Sequence, residues 1–309
     1  MNYRHHFHAG NYADVFKHVL LLQLIRAMQA KEKGFLFLDT HAGRGGYDLT
    51  ETSLLPDGRA REPEFPTGVG RVWGDANASA LPGGWPGQTP GGQQSATVPA
   101  LADYLGLIRR FNDRRGHTGD ELHFYPGSPW IARLAARAQD RLLLCELRPD
   151  DAEALDFDFA REPRVLVQAM DGYTGLKAHL PPPEKRALVL IDPPFESQVE
   201  FAQILKSLGE SLRRFPGGVY AVWYPITERT RVDDFFDGLL ALPLPPTLFA
   251  ELNIAGDASL VRMKGCGLLV INPPWKIDGA IRAVLPELIR HLRIDAGASA
   301  RCQWLVPEA

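Results

Sequence analysis

Short apolar runs separated by segments with helical periodicity recur along the chain of 309 residues. Eight of these runs are strand candidates, at residues 35–39, 141–146, 164–169, 187–192, 218–224, 248–254, 265–272 and 302–307. Between several of them apolar residues recur every three or four positions, as they do at 13–33 and 128–138. Strands that alternate with helices predict a mostly parallel sheet with helices on both faces. The shorter connections after residue 218 predict an antiparallel part at one edge.

The composition is that of a globular protein with an ample core. Hydrophobic residues make up 45% of the chain and charged residues 23%, and no apolar run approaches the roughly 20 residues of a membrane helix. The three cysteines are far apart, and residues 1–10 do not resemble a signal peptide. We therefore expect a cytoplasmic protein with buried thiols and no membrane partner. A net charge of −3 excludes a globally basic nucleic-acid binder but leaves room for a local basic surface.

One stretch interrupts the alternation of strands and helices. Residues 74–99 are rich in Gly, Pro, Gln and Ser and lack apolar periodicity, which predicts a flexible surface loop. A helical pattern follows at 99–114. We therefore predict a single domain over 1–309, with a partly helical insertion at 48–120 that contains the loop.

Acidic residues stand at the ends of four predicted strands. Asp39 ends the first and leads into a glycine-rich turn at 43–46, which lets the backbone approach a ligand closely. Glu146, Asp171 and Asp192 end or follow the next three strands. Open α/β sheets hold their ligands at the carboxyl ends of the strands, so these carboxylates predict a shared pocket. Each alone is also compatible with an ordinary strand end; together they indicate a nucleoside pocket beside a pocket for a planar substrate.

The acidic residues suit different parts of a nucleoside ligand. Asp39 and the turn suit a cationic amino-acid end, Glu146 suits ribose hydroxyls, and Asp171 suits an adenine amino group. Position 48 is Asp where a dinucleotide fingerprint has glycine, and no Lys-Ser or Lys-Thr follows the turn as in a Walker loop. The turn therefore does not match either of those phosphate sites.

The fourth run is followed by "DPPF", which combines a carboxylate, two prolines and an aromatic ring. Pro193 and Pro194 have no N–H to donate, so they end the strand and stiffen the turn. The carboxylate of Asp192 and the carbonyl of Pro193 can accept both hydrogens of an exocyclic amine, and Phe195 offers a stacking face. The motif predicts a rigid clamp for a planar amine.

A second motif of this kind, "INPPW", occurs at 271–275. Asn272 can also accept a hydrogen bond from an amine. Because the motif lies near the end of the chain, away from the acidic series, we expect it to finish an edge strand. We also expect Trp275 to pack under the C-terminal helix.

Motifs along nearly the whole chain resemble the RlmJ family of Rossmann-like methyltransferases. They are "YRHHFHAGNYADVFKH" (3–18), "FLFLDTHAGRGGYDL" (35–49), "YPGSPWIA" (125–132), "CELRPDD" (145–151), "LVLIDPPFE" (188–196), "VINPPWK" (270–276) and the segments 102–112 and 220–226. The resemblance implies an α/β methyltransferase fold with a mostly parallel seven-stranded sheet. It implies methyl transfer from S-adenosylmethionine to the N6 amine of an adenine in bacterial 23S ribosomal RNA. The chain departs from the family in its long 74–99 segment and in Arg44 within the glycine turn.

The resemblance also implies roles for individual residues. Cofactor contacts are implied for His18, His41, Ser128, Glu146, Asp171 and Gly172. Asp192 is the implied catalytic residue, to which the clamp motif adds Pro193 and Phe195. Tyr3, together with His5 and Lys17, provides the implied RNA contacts. On its own, His18 is equally compatible with an ordinary histidine on an amphipathic helix.

Two further expectations concern metals and RNA. The histidines at 5, 6 and 8 have no carboxylate or cysteine at ligand spacing, so we expect no metal site. Three groups of basic residues offer local positive charge for RNA: Arg4 and Lys17 near the N-terminus; Arg109, Arg110, Arg114 and Arg115 in the insertion; and Arg213 and Arg214. We favour the first two groups as RNA contacts. We expect the protein to be monomeric.

Three other functions remain open. They are DNA adenine-N6 methylation, methylation of a protein glutamine amide, and RNA binding without catalysis on a retained cofactor fold. The chain has no second large domain to read a DNA duplex, and Asp192 retains a reactive side chain, which argues against loss of catalysis. Parallel transfer assays on RNA, DNA and peptide separate these functions.

Overall fold

The computed structural model describes residues 7–51, 61–76, 98–197, 199–256, 258–261 and 263–308. Its strands are β1 (Leu36–Asp39), β2 (Gly46–Asp48), β3 (Phe124–Pro126), β4 (Arg141–Glu146), β5 (Val165–Ala169), β6 (Ala187–Ile191), β7 (Val219–Ile226), β8 (Thr247–Asn253), β9 (Gly265–Ile271) and β10 (Ser299–Val306). Its helices are α1 (Tyr12–Met28), α2 (Val69–Ala76), α3 (Pro99–Arg114), α4 (Ser128–Ala135), α5 (Pro149–Phe159), α6 (Gly172–His179), α7 (Glu200–Arg214), α8 (Arg229–Leu240) and α9 (Ile277–Leu292).

Within these residues eight strands form one sheet in the order β10-β8-β9-β7-β6-β1-β4-β5. Neighbours from β5 to β7 are parallel, whereas β9 runs antiparallel to β7 and β8, and β10 antiparallel to β8. This confirms the mostly parallel α/β fold with an antiparallel part, although the sheet has eight strands rather than seven. We call the edge where β1, β4, β5, β6 and β7 end the carboxyl edge.

Helices cover both faces of the sheet, as predicted. Buried side chains of α1, α3, α4 and α9 pack on one face, and those of α6, α7 and α8 pack on the other. Strand residues alternate between the two layers: in β1, Phe37 joins the first, and Leu36 and Leu38 join the second. The same alternation directs the side chains of Asp39, Glu146 and Asp192 toward the face of the sheet that α1 covers.

Helix α1 crosses the first face and is buried along most of its length. It begins after Asn11, whose side chain accepts a hydrogen bond from the backbone N–H of Asp14 and so caps the helix. It ends at Met28 rather than at residue 33, where its pattern predicted the end. Its burial brings polar side chains of its first turns beneath the carboxyl edge.

The predicted insertion shares the main core. Tyr104, Ile108 and Phe111 of α3 are buried in the layer that also contains α1 and α4. Residues 77–97, most of the predicted loop, lie outside the described residues. The domain organisation therefore stays a prediction. Across the described ranges, no helix combines the length and apolar character that crossing a bilayer requires.

Candidate active site

Carboxylates from four strand ends meet at the carboxyl edge. Asp39 ends β1, the strand between β4 and β6, and its register partners are Leu144 and Leu190. Glu146 ends β4, Asp192 follows β6, and Asp171 follows β5 two residues after its end. The convergence predicted from the sequence is therefore present in the fold.

Glu146 holds the glycine turn in place. Its Oε2 accepts a hydrogen bond from the Gly43 N–H at 2.8 Å, and its Oε1 accepts one from the Arg148 N–H at 2.8 Å. Gly43 has a φ of 61°, and a Cβ there would lie 2.6 Å from the hydroxyl oxygen of Tyr47. Burial raises the pKa of Glu146 despite these bonds. The carboxylate is thus a fixed acceptor at the edge of the turn.

Asp171 and Gly172 join α6 to the end of β1. Asp171 Oδ2 caps α6 by accepting from the N–H and the hydroxyl of Thr174, each at 2.8 Å. A Cβ on Gly172 would lie 1.9 Å from the carbonyl oxygen of Thr40, so only glycine permits this approach. In the described part of the chain, no donor reaches the other oxygen of Asp171. That oxygen is available to a ligand.

Asp39 is a fully buried carboxyl group beneath the edge. Its Oδ2 accepts from the Ser128 hydroxyl at 2.6 Å, and its Oδ1 accepts from the His41 N–H at 3.3 Å. Ser128 is the first residue of α4, so this contact fixes that helix against β1. Burial raises the pKa of Asp39 to about 7, even though the bond from Ser128 opposes the shift.

We expect the stability of the protein to fall as Asp39 ionises. The folded pKa lies above the unfolded value of about 3.9, so folding becomes less favourable between about pH 4 and pH 7. The stability of Asp39→Asn relative to wild type should therefore increase as the pH rises over this range. Melting temperatures of both proteins from pH 5 to pH 8 measure the difference; parallel profiles would contradict the assignment.

Asp140→Asn is the matched control for a buried carboxylate. Burial opposes its charge, but hydrogen bonds from Arg137 outweigh that and lower the pKa of Asp140. The stability that this group contributes is lost only as the pH falls through the acid range. The difference between this variant and wild type should therefore stay constant from pH 5 to pH 8.

Two histidines occupy different environments near this edge. His18 Nδ1 lies 2.7 Å from the Tyr125 hydroxyl, which lies 2.9 Å from the hydroxyl of Tyr104, and all three residues are buried. His41 Nδ1 lies 2.8 Å from the Thr40 hydroxyl. Burial lowers the pKa of His41 to about 4, so the imidazole is neutral near pH 7. Both rings are therefore fixed by hydroxyl groups.

Asp192 forms a buried ion-pair cluster with α1. Lys17 Nζ lies 2.6 Å from Asp192 Oδ2 and 2.9 Å from Asp14 Oδ1, and its side chain is 7% exposed. Burial opposes the charge of the ammonium group, but the two carboxylates outweigh that and raise the pKa of Lys17 well above its ordinary value. Among the described residues, no donor reaches Asp192 Oδ1. One oxygen is thus held, and the other is open.

An aromatic group lies beside Asp192. The ring of Phe195 lies 5.1 Å from that of Phe201 and 5.7 Å from that of Trp223. Lys17 Nζ lies 6.0 Å from the centre of the Trp223 ring. Asp14, Phe201 and Trp223 were not predicted as site residues. The spacing of Asp14 and Lys17, one turn apart on a helix, is the sequence signal that points to Asp14.

The comparisons with known proteins cover most or all of the chain. A family model described as "Ribosomal RNA large subunit methyltransferase D, RlmJ" matches residues 92–306. The curated ribosomal RNA large subunit methyltransferases J of Haemophilus influenzae and Escherichia coli are 36% and 37% identical over 308 residues, with 100% of each chain covered. The chain belongs to the RlmJ family. A crystal structure of a Legionella pneumophila protein is 31% identical, has a TM-score of 0.77, and is matched over 96% of this chain and 98% of that one.

The second Pro-Pro motif of this RlmJ family member lies at the opposite edge of the sheet. Ile271 pairs with Tyr220 near the start of β7, and Asn272 follows it with a φ of 51°. Asn272 Nδ2 donates to the carbonyl oxygens of Pro216 at 2.6 Å and Gly218 at 2.8 Å. The motif therefore secures the loop before β7.

Two expectations about this motif are wrong. β9 lies between β7 and β8 and is not an edge strand, because β10 pairs with β8 beyond it. Trp275 is 77% exposed rather than packed under a helix, and Lys276 Nζ lies 4.1 Å from the centre of its ring. The direction of β9 turns the end of the motif toward solvent.

The predicted RNA contacts fall into three groups. Tyr3, Arg4 and His5 lie outside the described residues. Lys17 is buried between two carboxylates. The arginines of the insertion have partners within the protein: Arg109 with the Trp73 ring, Arg110 with the Leu134 carbonyl, Arg114 with Glu162, and Arg115 with Asp158.

Over the ranges that the structure describes, no group of three His, Cys, Asp or Glu side chains is arranged to hold a metal ion.

Proposed function

We propose that this protein transfers a methyl group from S-adenosylmethionine to the N6 amine of an adenine in 23S ribosomal RNA. The observation that carries the proposal is the arrangement of Asp192 at the carboxyl edge, with one oxygen fixed by Lys17 and the other open. Phe195 follows three residues later in the chain and provides the stacking surface, with its ring 5.7 Å from that of Trp223. Family membership supports the substrate class, since both curated relatives are named as large-subunit ribosomal RNA methyltransferases.

The residues of the carboxyl edge fit S-adenosylmethionine. At Gly43 and Gly172 a Cβ would collide with the Tyr47 hydroxyl and the Thr40 carbonyl, so both glycines are needed for the close packing of the carboxyl edge. Acidic groups around it suit a ligand with ribose hydroxyls and positive charge. The cofactor would be held by His18, His41, Ser128, Glu146, Asp171 and Gly172. When bound, it supplies a methyl group on a positively charged sulfur, so the acceptor needs little acid or base activation.

Asp192 and Pro193 orient the acceptor amine. The lone pair of an adenine N6 is delocalised into the ring, and acceptance of both N–H bonds favours a tetrahedral, nucleophilic nitrogen. Asp192 Oδ1 accepts one hydrogen, the Pro193 carbonyl accepts the other, and Lys17 prevents the carboxylate from turning away. Alignment of this kind supplies up to ~7–11 kcal/mol of the barrier reduction. Asp192 also takes up the proton that the amine releases, directly or through water.

Phe195 holds the adenine ring against the clamp. Stacking on an aromatic side chain contributes about 1–3 kcal/mol per base, and Phe201 and Trp223 support the ring of Phe195. A base inside a helix cannot enter this site, so the target nucleotide must be unpaired or flipped out. Transfer assays on ribosomal RNA, DNA and a glutamine-containing peptide in parallel test the proposal; preferential labelling of DNA or peptide would contradict it.

Replacing Glu146 with Ala should weaken binding of S-adenosylmethionine by at least about tenfold while the fold is retained. The change removes charge-assisted acceptors for the ligand and releases the N–H groups of Gly43 and Arg148. Calorimetry measures the affinity, and circular dichroism the fold. Glu153→Ala, which removes an exposed carboxylate from α5, is the control and should bind as wild type does. Equal affinity in the two variants would exclude this role for Glu146.

A further inference from the structure

Arg231 lies next to the aromatic side chains of the proposed clamp. It belongs to the first turn of α8, which begins just after β7 ends at the carboxyl edge. Its guanidinium carbon lies 5.9 Å from the centre of the Phe201 ring, whose centre lies 5.1 Å from that of Phe195. A row of three neighbouring side chains therefore leads from the ring on which the adenine would stack to a positive charge.

The charge of Arg231 is not neutralised within the described chain. Its side chain is half-buried, and no hydrogen bond or ion pair joins it to any other described residue. Arg229, two residues earlier on the same turn, differs in this respect: it donates to Asp233 at 2.8 Å and to Glu251 at 2.7 Å. Arg229 thus has a structural role, whereas Arg231 presents a free cation at the edge of the site.

We propose that Arg231 binds a backbone phosphate of the RNA strand next to the target adenine. The inference rests on the proposed function and adds a strand contact to it. Guanidinium groups match phosphate oxygens in a bidentate geometry, and contact with the Phe201 ring restricts the side chain before RNA arrives. A nucleotide whose base stacks on Phe195 brings its neighbouring phosphates to the same edge.

Salt dependence of RNA binding distinguishes a phosphate contact from a packing role. We would measure binding of protein-free 23S ribosomal RNA at several salt concentrations for wild type, Arg231→Gln, Arg231→Lys and Arg213→Gln. The last removes an exposed arginine from the end of α7, at the opposite edge of the sheet. Arg231→Gln should bind about tenfold more weakly, and the slope of log K against log salt should fall by ~0.7–0.9, the change expected for one phosphate.

The other variants complete the test. Arg231→Lys should keep most of the slope, Arg213→Gln should behave as wild type, and all four proteins should bind S-adenosylmethionine equally. An unchanged slope for Arg231→Gln would overturn the inference. This holds even if the variant binds RNA more weakly, because loss of the packing of Phe201 can lower the affinity without removing a phosphate contact. Methyl transfer by wild type is scored separately. A reduced slope in a protein that does not methylate RNA would overturn the proposed reaction but support the phosphate contact.

Discussion

Replacing Asp192 with Ala should abolish methyl transfer in a folded protein that still binds S-adenosylmethionine. The variant loses the acceptor that orients the adenine amine and takes up its proton, and groups with this role contribute ~10²–10⁴-fold to rate. The glycine turn and Glu146 do not depend on Asp192, because their hydrogen bonds are made with each other. Single-turnover transfer and calorimetric cofactor binding measure the two properties independently.

Asn272→Ala is the matched control, since it alters the other Pro-Pro motif. Asn272 lies at the opposite edge of the sheet, so transfer should stay within about tenfold of wild type, or about 1.4 kcal/mol in barrier. Stability should fall, because the carbonyl groups of Pro216 and Gly218 lose their donor. The reverse pattern, with an active Asp192 variant and an inactive Asn272 variant, would identify the second motif as the clamp.

Replacing Lys17 with Met should destabilise the protein by about 3–5 kcal/mol, the range for breaking a buried ion pair from one side. The variant leaves Asp14 and Asp192 without the ammonium group that lies within 3 Å of both. Transfer should also fall, because Asp192 is no longer held. Urea unfolding measures the stability, and Lys31→Met, which removes an exposed lysine, should leave it unchanged.

Neutralising one of the two carboxylates should restore part of that loss. In Lys17→Met/Asp192→Asn, Asp14 is the one carboxylate of the two that keeps its charge after the ammonium group is lost. The double variant should therefore be more stable than the sum of the single changes predicts, by about 0.5–3 kcal/mol. Strict additivity would show that Lys17 and Asp192 are not coupled.

The sequence predicted the strands and the acidic strand ends because both are local properties. An apolar run such as 187–191 is a strand wherever it lies in the sheet, and parallel strands bring their carboxyl ends to one edge. The contacts between elements could not be predicted in the same way. Asp192 and Trp223 meet Lys17 only because of how α1 is rotated against the sheet, and that rotation is set by packing along the whole helix.

The wrong expectation for Trp275 has a similar cause. The pattern of 265–272 identifies a strand but carries no information on its direction, and an antiparallel β9 delivers its last residues to the edge opposite Asp192. The end of α1 at Met28 also depends on context, since helical periodicity continued beyond it. The direction of a strand and the exact length of a helix are set by the neighbouring elements.

Nucleoside analysis of labelled RNA tests the central claim most directly. The protein would be incubated with methyl-labelled S-adenosylmethionine and protein-free 23S ribosomal RNA, and the RNA digested to nucleosides. We predict that wild type places the label in N6-methyladenosine and that the Asp192→Ala variant places none there. Label in any other nucleoside, or equal label from the two proteins, would contradict the account.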